Sequence, residues 1–168
     1  MKAEFMRNEH NDTEQSFTSL SSEAPLTTPH MYHLSSQEST LAALALLLGP
    51  ETDEAIRKRA AHRLAKQGST SLSLILTTLN VYPEITTPSW PLWPPQYEHC
   101  GHLLARLCQQ AHYSLETLLR HPVLTQPVGP VLWISAIEAT HLLPSLTHEA
   151  LIREGLSAAW ATVRYAAA

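Results

Sequence analysis

Glycine, cysteine and charge are all scarce in this chain, and each scarcity excludes something. Five glycines among 168 residues leave little material for nucleotide cradles. No Gly-rich phosphate loop, no Gly-x-Ser-x-Gly elbow and no His-Glu-x-x-His pair occurs, so the usual signatures of nucleotide binding, serine hydrolysis and zinc proteolysis are missing. The two cysteines, Cys100 and Cys108, fall in one helical pattern at a separation of about 12 Å along the axis. That is too far for a disulfide with each other, and reduced thiols in a cytoplasm are expected. Long hydrophobic runs are also lacking: the longest, Leu41 to Leu48, falls far short of the roughly 20 residues that cross a bilayer. The opening MKAEFMRNEHNDTEQS has no apolar core of the kind a secretion signal needs, so export is not expected.

Only 15% of the residues are charged, against 44% hydrophobic. Polarity therefore comes from Ser, Thr, Gln and His, a composition suited to helices packed on more than one side. The net charge of −4 is unevenly placed. Residues 1–40 hold Lys2 and Arg7 against Glu4, Glu9, Asp12, Glu14, Glu23 and Glu38, while the remainder is balanced. A neutral folded part argues against a general polyanion-binding surface. Residues 1–36 show no sustained hydrophobic period and read as a disordered acidic and polar arm, which leaves residues 37–168 as the folded domain.

Within that domain the punctuation is helical. Ser39 is expected to cap a helix through Leu48, ended by Gly49-Pro50, with Leu41, Leu44, Ala45 and Leu48 on one stripe. A second helix should run from about Thr52 to Gln67 with Ile56, Ala60 and Leu64 inward and Gly68 as its stop. A third begins near Ser71, its buried face formed by Leu72, Ile75, Leu76 and Leu79. Residues 82–96, YPEITTPSWPLWPPQ, carry five prolines and must be a loop. Cys100, Leu104, Leu107, Cys108 and Ala111 line a fourth helix, and a fifth starts at Ser114. Gly129-Pro130 opens a sixth, apolar nearly all round and so buried on several sides, reaching Leu143. Thr147 caps a seventh, and AWATVRYAAA begins an eighth.

Aligning the first helix of each pair brings the small residues Ala60, Cys100, Ser135 and Ala167 into correspondence, followed by Ala61, Gly101, Ala136 and Ala168. Small side chains there let the first helix of one repeat approach its neighbour closely. Ile56-Arg57 followed by Ala60, and Val163-Arg164 followed by Ala166 to Ala168, resemble the hydrophobe-Arg-x-x-Ala pattern of HEAT repeats. The likeness is closest to the short bacterial HEAT-like type also found in phycobilisome lyases. The two middle repeats match in their small and apolar positions and lack the Arg. Tetratricopeptide repeats have a comparable length, but their Trp, Gly and Tyr positions are not met. The resemblance spans Thr40 to Ala168 and implies an all-α, right-handed α-solenoid of paired antiparallel helices with about three and a half repeats. An unrelated helical bundle is the competing architecture.

Few residues suggest chemistry. His99, Cys100, Cys108 and His112 are of metal-ligand type, but no Cys-x-x-Cys anchors them and both thiols lie on the apolar stripe, so buried thiols and solvated histidines are expected instead. Glu138 and His141 form a single Glu-x-x-His, half of what a di-iron bundle requires. Arg59, Arg63 and Lys66 share a helix flank within a basic run from Arg57 to Lys66; a phosphate-backbone or acidic-peptide contact there competes with a solvated flank. Trp90 and Trp93 sit between prolines and either recognise a partner or fold back and plug the gap between the first two repeats. Trp160, Val163 and Tyr165 are expected at an exposed repeat end open to self-association.

With no catalytic group and no cofactor implied, the expected role is a cytoplasmic, non-enzymatic scaffold that binds another protein. A bilin-lyase or chaperone-like activity, implied by the resemblance, and weak nucleic-acid binding through the basic flank are the alternatives.

Overall fold

A computed structural model describes residues 29–85, 93–124, 127–143 and 148–168, with side chains from residue 36 onward. The described residues form eight helices and no strand: α1 (Pro29–Leu48), α2 (Glu54–Gln67), α3 (Ser69–Val81), α4 (Pro95–Ala111), α5 (Leu115–Leu119), α6 (Pro130–Thr140), α7 (His148–Leu156) and α8 (Ala161–Ala167). The chain is all-α. None of these helices is long and apolar enough to cross a membrane.

Local chemistry sets most of the boundaries. Asp53 caps α2 by accepting from the Ala55 amide at 2.8 Å, and Gly68, at φ 58°, ends it in a conformation that side-chain-bearing residues resist. Pro95 opens α4 at a position whose amide needs no partner. Ser114 caps α5 through the Thr117 amide. α1 departs from the expectation at both its start and its facing. It begins at Pro29 and so reaches back beyond the expected arm boundary at residue 36, and Ser39 lies inside it rather than capping it. Thr40, Ala43, Leu44 and Leu47 face inward, whereas Leu41 and Ala45 are exposed. A run of leucine and alanine carries no polar face to fix its rotation, so contacts with α2 and α3 decide it. α6 ends at Thr140, short of the expected Leu143, and the expected Thr147 cap lies outside the described residues.

Packing follows a simple order. α1 lies against α2, and then α2 against α4, α4 against α6, and α6 against α8. α6 is the hub, touching α3, α4, α5, α7 and α8, which explains why Val131, Leu132, Ile134, Ser135, Ala136, Ile137 and Ala139 are all buried. The α4–α6 seam is built from small residues. A Cβ on Gly101 would stand 2.5 Å from Glu138 Cβ and 3.2 Å from the Ala139 nitrogen, and the Ser135 side chain, whose hydroxyl donates to Val131 O at 2.6 Å, lies beside the Cys100 thiol. Two of the positions aligned by the repeat reading thus touch each other.

Arg57 also departs from the expected stripe. Only 3% exposed, it takes the inward position beside Ala60 and Leu64 while Ile56 turns outward. Its Nε–H donates to Leu47 O at 3.1 Å and its Nη2 to Gly49 O at 2.8 Å. Leu47 O belongs to the last turn of α1, where carbonyls lack a partner in their own helix, and Gly49 O, just beyond it, accepts also from the Thr52 amide at 3.4 Å; one guanidinium fork holds both. Arg164, at the corresponding place in α8, does the same more superficially, donating from Nη1 to Ala158 O and Ala159 O at 2.8 and 2.9 Å.

Candidate functional site

A cleft of about 550 Å³ lies between α2 and α4. Its α2 wall carries Lys58, Arg59 and His62, and its α4 wall carries His102 and Arg106. These positions recur every three or four residues, so each wall is one helical stripe. Buried Ala61 and Leu103 form part of the floor.

Arg106 Nη1 lies 2.8 Å from His62 Nδ1. A guanidinium can only donate, so His62 accepts at Nδ1 and carries its own proton on Nε2. Arg59 spends its Nε–H on Ala55 O at 3.2 Å, and among the described residues no carboxylate pairs with its two terminal nitrogens. Of the two acids on the rim, Glu98 lies 3.8 Å from His102 and Glu54 sits in the first turn of α2, where the helix N-terminus favours negative charge. His99, at the same end, is buried, and burial lowers its pKa from the ordinary value more than neighbouring Glu98 raises it.

The basic flank read from the sequence is divided by the fold. Arg59 lines the cleft, whereas Arg63 Nη2 donates to Ser39 Oγ of α1 at 2.7 Å and Lys66 is exposed beyond it. Arg57 is withdrawn into the core altogether. Arg106, which completes the cleft, stands 44 residues from its partner His62, and no local spacing in the sequence marks the pair.

The aromatic positions also separate. Trp90 lies outside the described residues. Trp93 folds back: its indole Nε1 donates to Glu138 Oε1 at 2.9 Å, and its ring lies 5.2 Å from Tyr97 and 5.8 Å from Tyr165. It joins α4, α6 and α8 rather than filling a gap between the first two repeats. At the expected exposed end, Val163 is a correction: it is fully buried, because α8 packs on both α6 and α7 and its one branched aliphatic residue fills that contact. Tyr165 remains 55% exposed. Trp160, at 37%, borders a second, larger cavity of about 760 Å³ whose walls include Trp133, Leu119 and Leu151.

His99, Cys100, Cys108 and His112 do not converge. His99 and Cys108 are about 13 Å apart along α4, and His112 is the left-handed residue, φ 54°, that ends the helix. Among the described residues no three His, Cys, Asp or Glu side chains are grouped to hold a metal. Both thiols are buried, and burial pushes each up to about 12, so neither is poised as a nucleophile. Glu138 is engaged by Trp93, and His141 is exposed.

No protein-family model, curated protein or solved structure matches this chain.

Proposed function

We propose that this chain is a non-enzymatic, HEAT-like repeat scaffold, a right-handed α-solenoid of paired helices that holds another protein in the cytoplasm. The observation that carries the reading is the side-by-side succession of α2, α4, α6 and α8, each the first helix of a pair, with an open charged cleft where α2 meets α4. Two further features support it. Arg57 and Arg164 occupy the same place in the repeat pattern and each holds carbonyls of the preceding segment, and the small residues Cys100 and Ser135 meet where the repeat alignment puts them side by side. A chain whose buried thiols are held protonated is a poor covalent catalyst and a reasonable rigid platform.

The test uses the full chain. Tagged protein is used to isolate co-purifying proteins, and each is then produced separately and mixed with purified chain in analytical ultracentrifugation. A stoichiometric complex formed from two purified components supports the scaffold reading. It falls if every purified pair stays apart, or if the chain alone turns over or transfers a chromophore to an acceptor protein.

A further inference from the structure

The α2–α4 cleft gathers three cations against the two acids of its rim. Three cations, Lys58, Arg59 and Arg106, face it, and among the described residues the two ion pairs are His102–Glu98 and Arg153–Glu149. None of the three is matched by a carboxylate of the described residues. Arg59 has committed one N–H and Arg106 one nitrogen, out of five N–H donors on each guanidinium. What remains is two planar forks suited to bidentate capture of a carboxylate. Between them the floor offers Ala61 and Leu103, an apolar rest for a side chain next to the captured acid. The volume, about 550 Å³, lies within the range of roughly 300 to 1,000 Å³ typical of binding pockets.

From this geometry we infer that the α2–α4 cleft binds an acidic peptide segment of a partner protein. A Glu or Asp carboxylate is held by Arg59 and Arg106, and an adjacent aliphatic side chain rests on Ala61 and Leu103. The inference rests on the scaffold reading and names the chemistry of its partner. A nucleic acid fits less well, because no Trp, Tyr or Phe lines the cleft to stack a base. His62 belongs to the same device, because holding Arg106 by its Nδ1 sets the guanidinium against α2.

The experiment is fluorescence anisotropy of a labelled, end-blocked Glu-Leu-Glu-Glu-Leu-Glu peptide with the full chain at low salt. Its Gln-for-Glu counterpart is measured alongside, with inorganic phosphate and single-stranded oligothymidylate as competitors. The acidic peptide is expected to bind about tenfold or more tightly than the Gln peptide, a difference of one charge-assisted contact. Arg59→Gln and Arg106→Gln should each weaken it several-fold and together abolish it, with an unchanged melting temperature because both side chains are exposed. Equal affinity for the two peptides, or full binding by the double variant, overturns the inference. So does displacement by oligothymidylate below the concentration at which phosphate competes, since that outcome assigns the cleft to phosphate chains. If the double variant still forms the purified complex of the scaffold test, the cleft is not the contact and the scaffold reading stands. If no complex forms at all, the scaffold reading fails.

Discussion

Trp93 and Glu138 lie 45 residues apart and are joined by one hydrogen bond, indole Nε1 to Oε1 at 2.9 Å. The indole also packs against Tyr97 and Tyr165, so a residue from a proline-rich connection ties the start of α4 to α8. Trp93→Ala removes a half-buried ring that bridges three helices and should destabilise the fold by about 2 kcal/mol, read in urea unfolding. Glu138→Gln keeps an acceptor and should change stability by well under half as much. If Trp93→Ala left the transition midpoint in place, the ring would not be a strut.

Glycine positions give an ordered series. A Cβ on Gly129 would stand 2.0 Å from Asn80 O, on Gly101 2.5 Å from Glu138 Cβ, and on Gly155 3.1 Å from Ala167 Cβ. The obstacle is backbone in the first case, a Cβ and the backbone beside it in the second, and packed side chains in the third. Alanine at these sites should therefore destabilise in the order Gly129, Gly101, Gly155, with Gly129→Ala at about 3 kcal/mol or more and Gly155→Ala under about 1.5 kcal/mol. Thermal melts of the three variants check the ranking, and a reversed order would mean that the α3–α6 and α4–α6 approaches are looser than the structure has them.

Arg57 and Arg164 test the same contact at two depths. Arg57→Met leaves the carbonyls of Leu47 and Gly49 without their guanidinium partner inside the core and should destabilise by about 2–4 kcal/mol. Arg164→Met strands only exposed carbonyls that water can reach, so its effect should stay below about 1 kcal/mol. Denaturant curves of the two variants should differ by several-fold in the shift of midpoint; equal shifts would deny Arg57 its capping role.

Much of this was readable in advance and some was not, for reasons that specific residues show. The α3 stripe of Leu72, Ile75, Leu76 and Leu79 is buried as its spacing requires, because polar residues between the apolar ones fix the rotation of that helix. In α1 no such contrast exists, and Leu41 was misplaced. Ile56 looked like the inward residue of α2 because hydrophobicity alone ranks it above Arg57; the end of α1, 10 residues away, reverses the order. The Cys100–Ser135 contact was legible since repeated spacing carries it. The His62–Arg106 pair was not, because a cross-helix contact between two exposed polar residues leaves no period behind.

Titration gives a fourth expectation. The thiols of Cys100 and Cys108, pushed up to about 12 by burial, stay protonated in the fold at a pH where an unfolded chain ionises them. Their contribution is thus fully present below about 9 and is lost as the pH rises toward 12. The Tyr97 hydroxyl, also pushed up to about 12 by burial, adds to the loss above about 10. His99 acts at the other end: its lowered pKa means that stability present above the ordinary histidine range declines as the medium becomes acidic. Melting temperature against pH should show a plateau with both shoulders, and the alkaline shoulder should soften in Cys100→Ala plus Cys108→Ala. At pH 8 the native protein should leave a disulfide-exchange reagent unreacted until denaturant is added; rapid labelling of the folded chain would contradict the burial.

The Gly129 amide donates to Asn80 Oδ1 at 2.8 Å, a bond that joins the end of α3 to the start of α6, with α4 and α5 between them only in sequence. In an array whose units touch only their neighbours, heat or denaturant can peel the ends away while the middle survives. A suture across that distance ties early and late segments into one cooperative unit. Amide hydrogen exchange should then show α3 and α6 opening together at a common rate, and Asn80→Ala should let them part company.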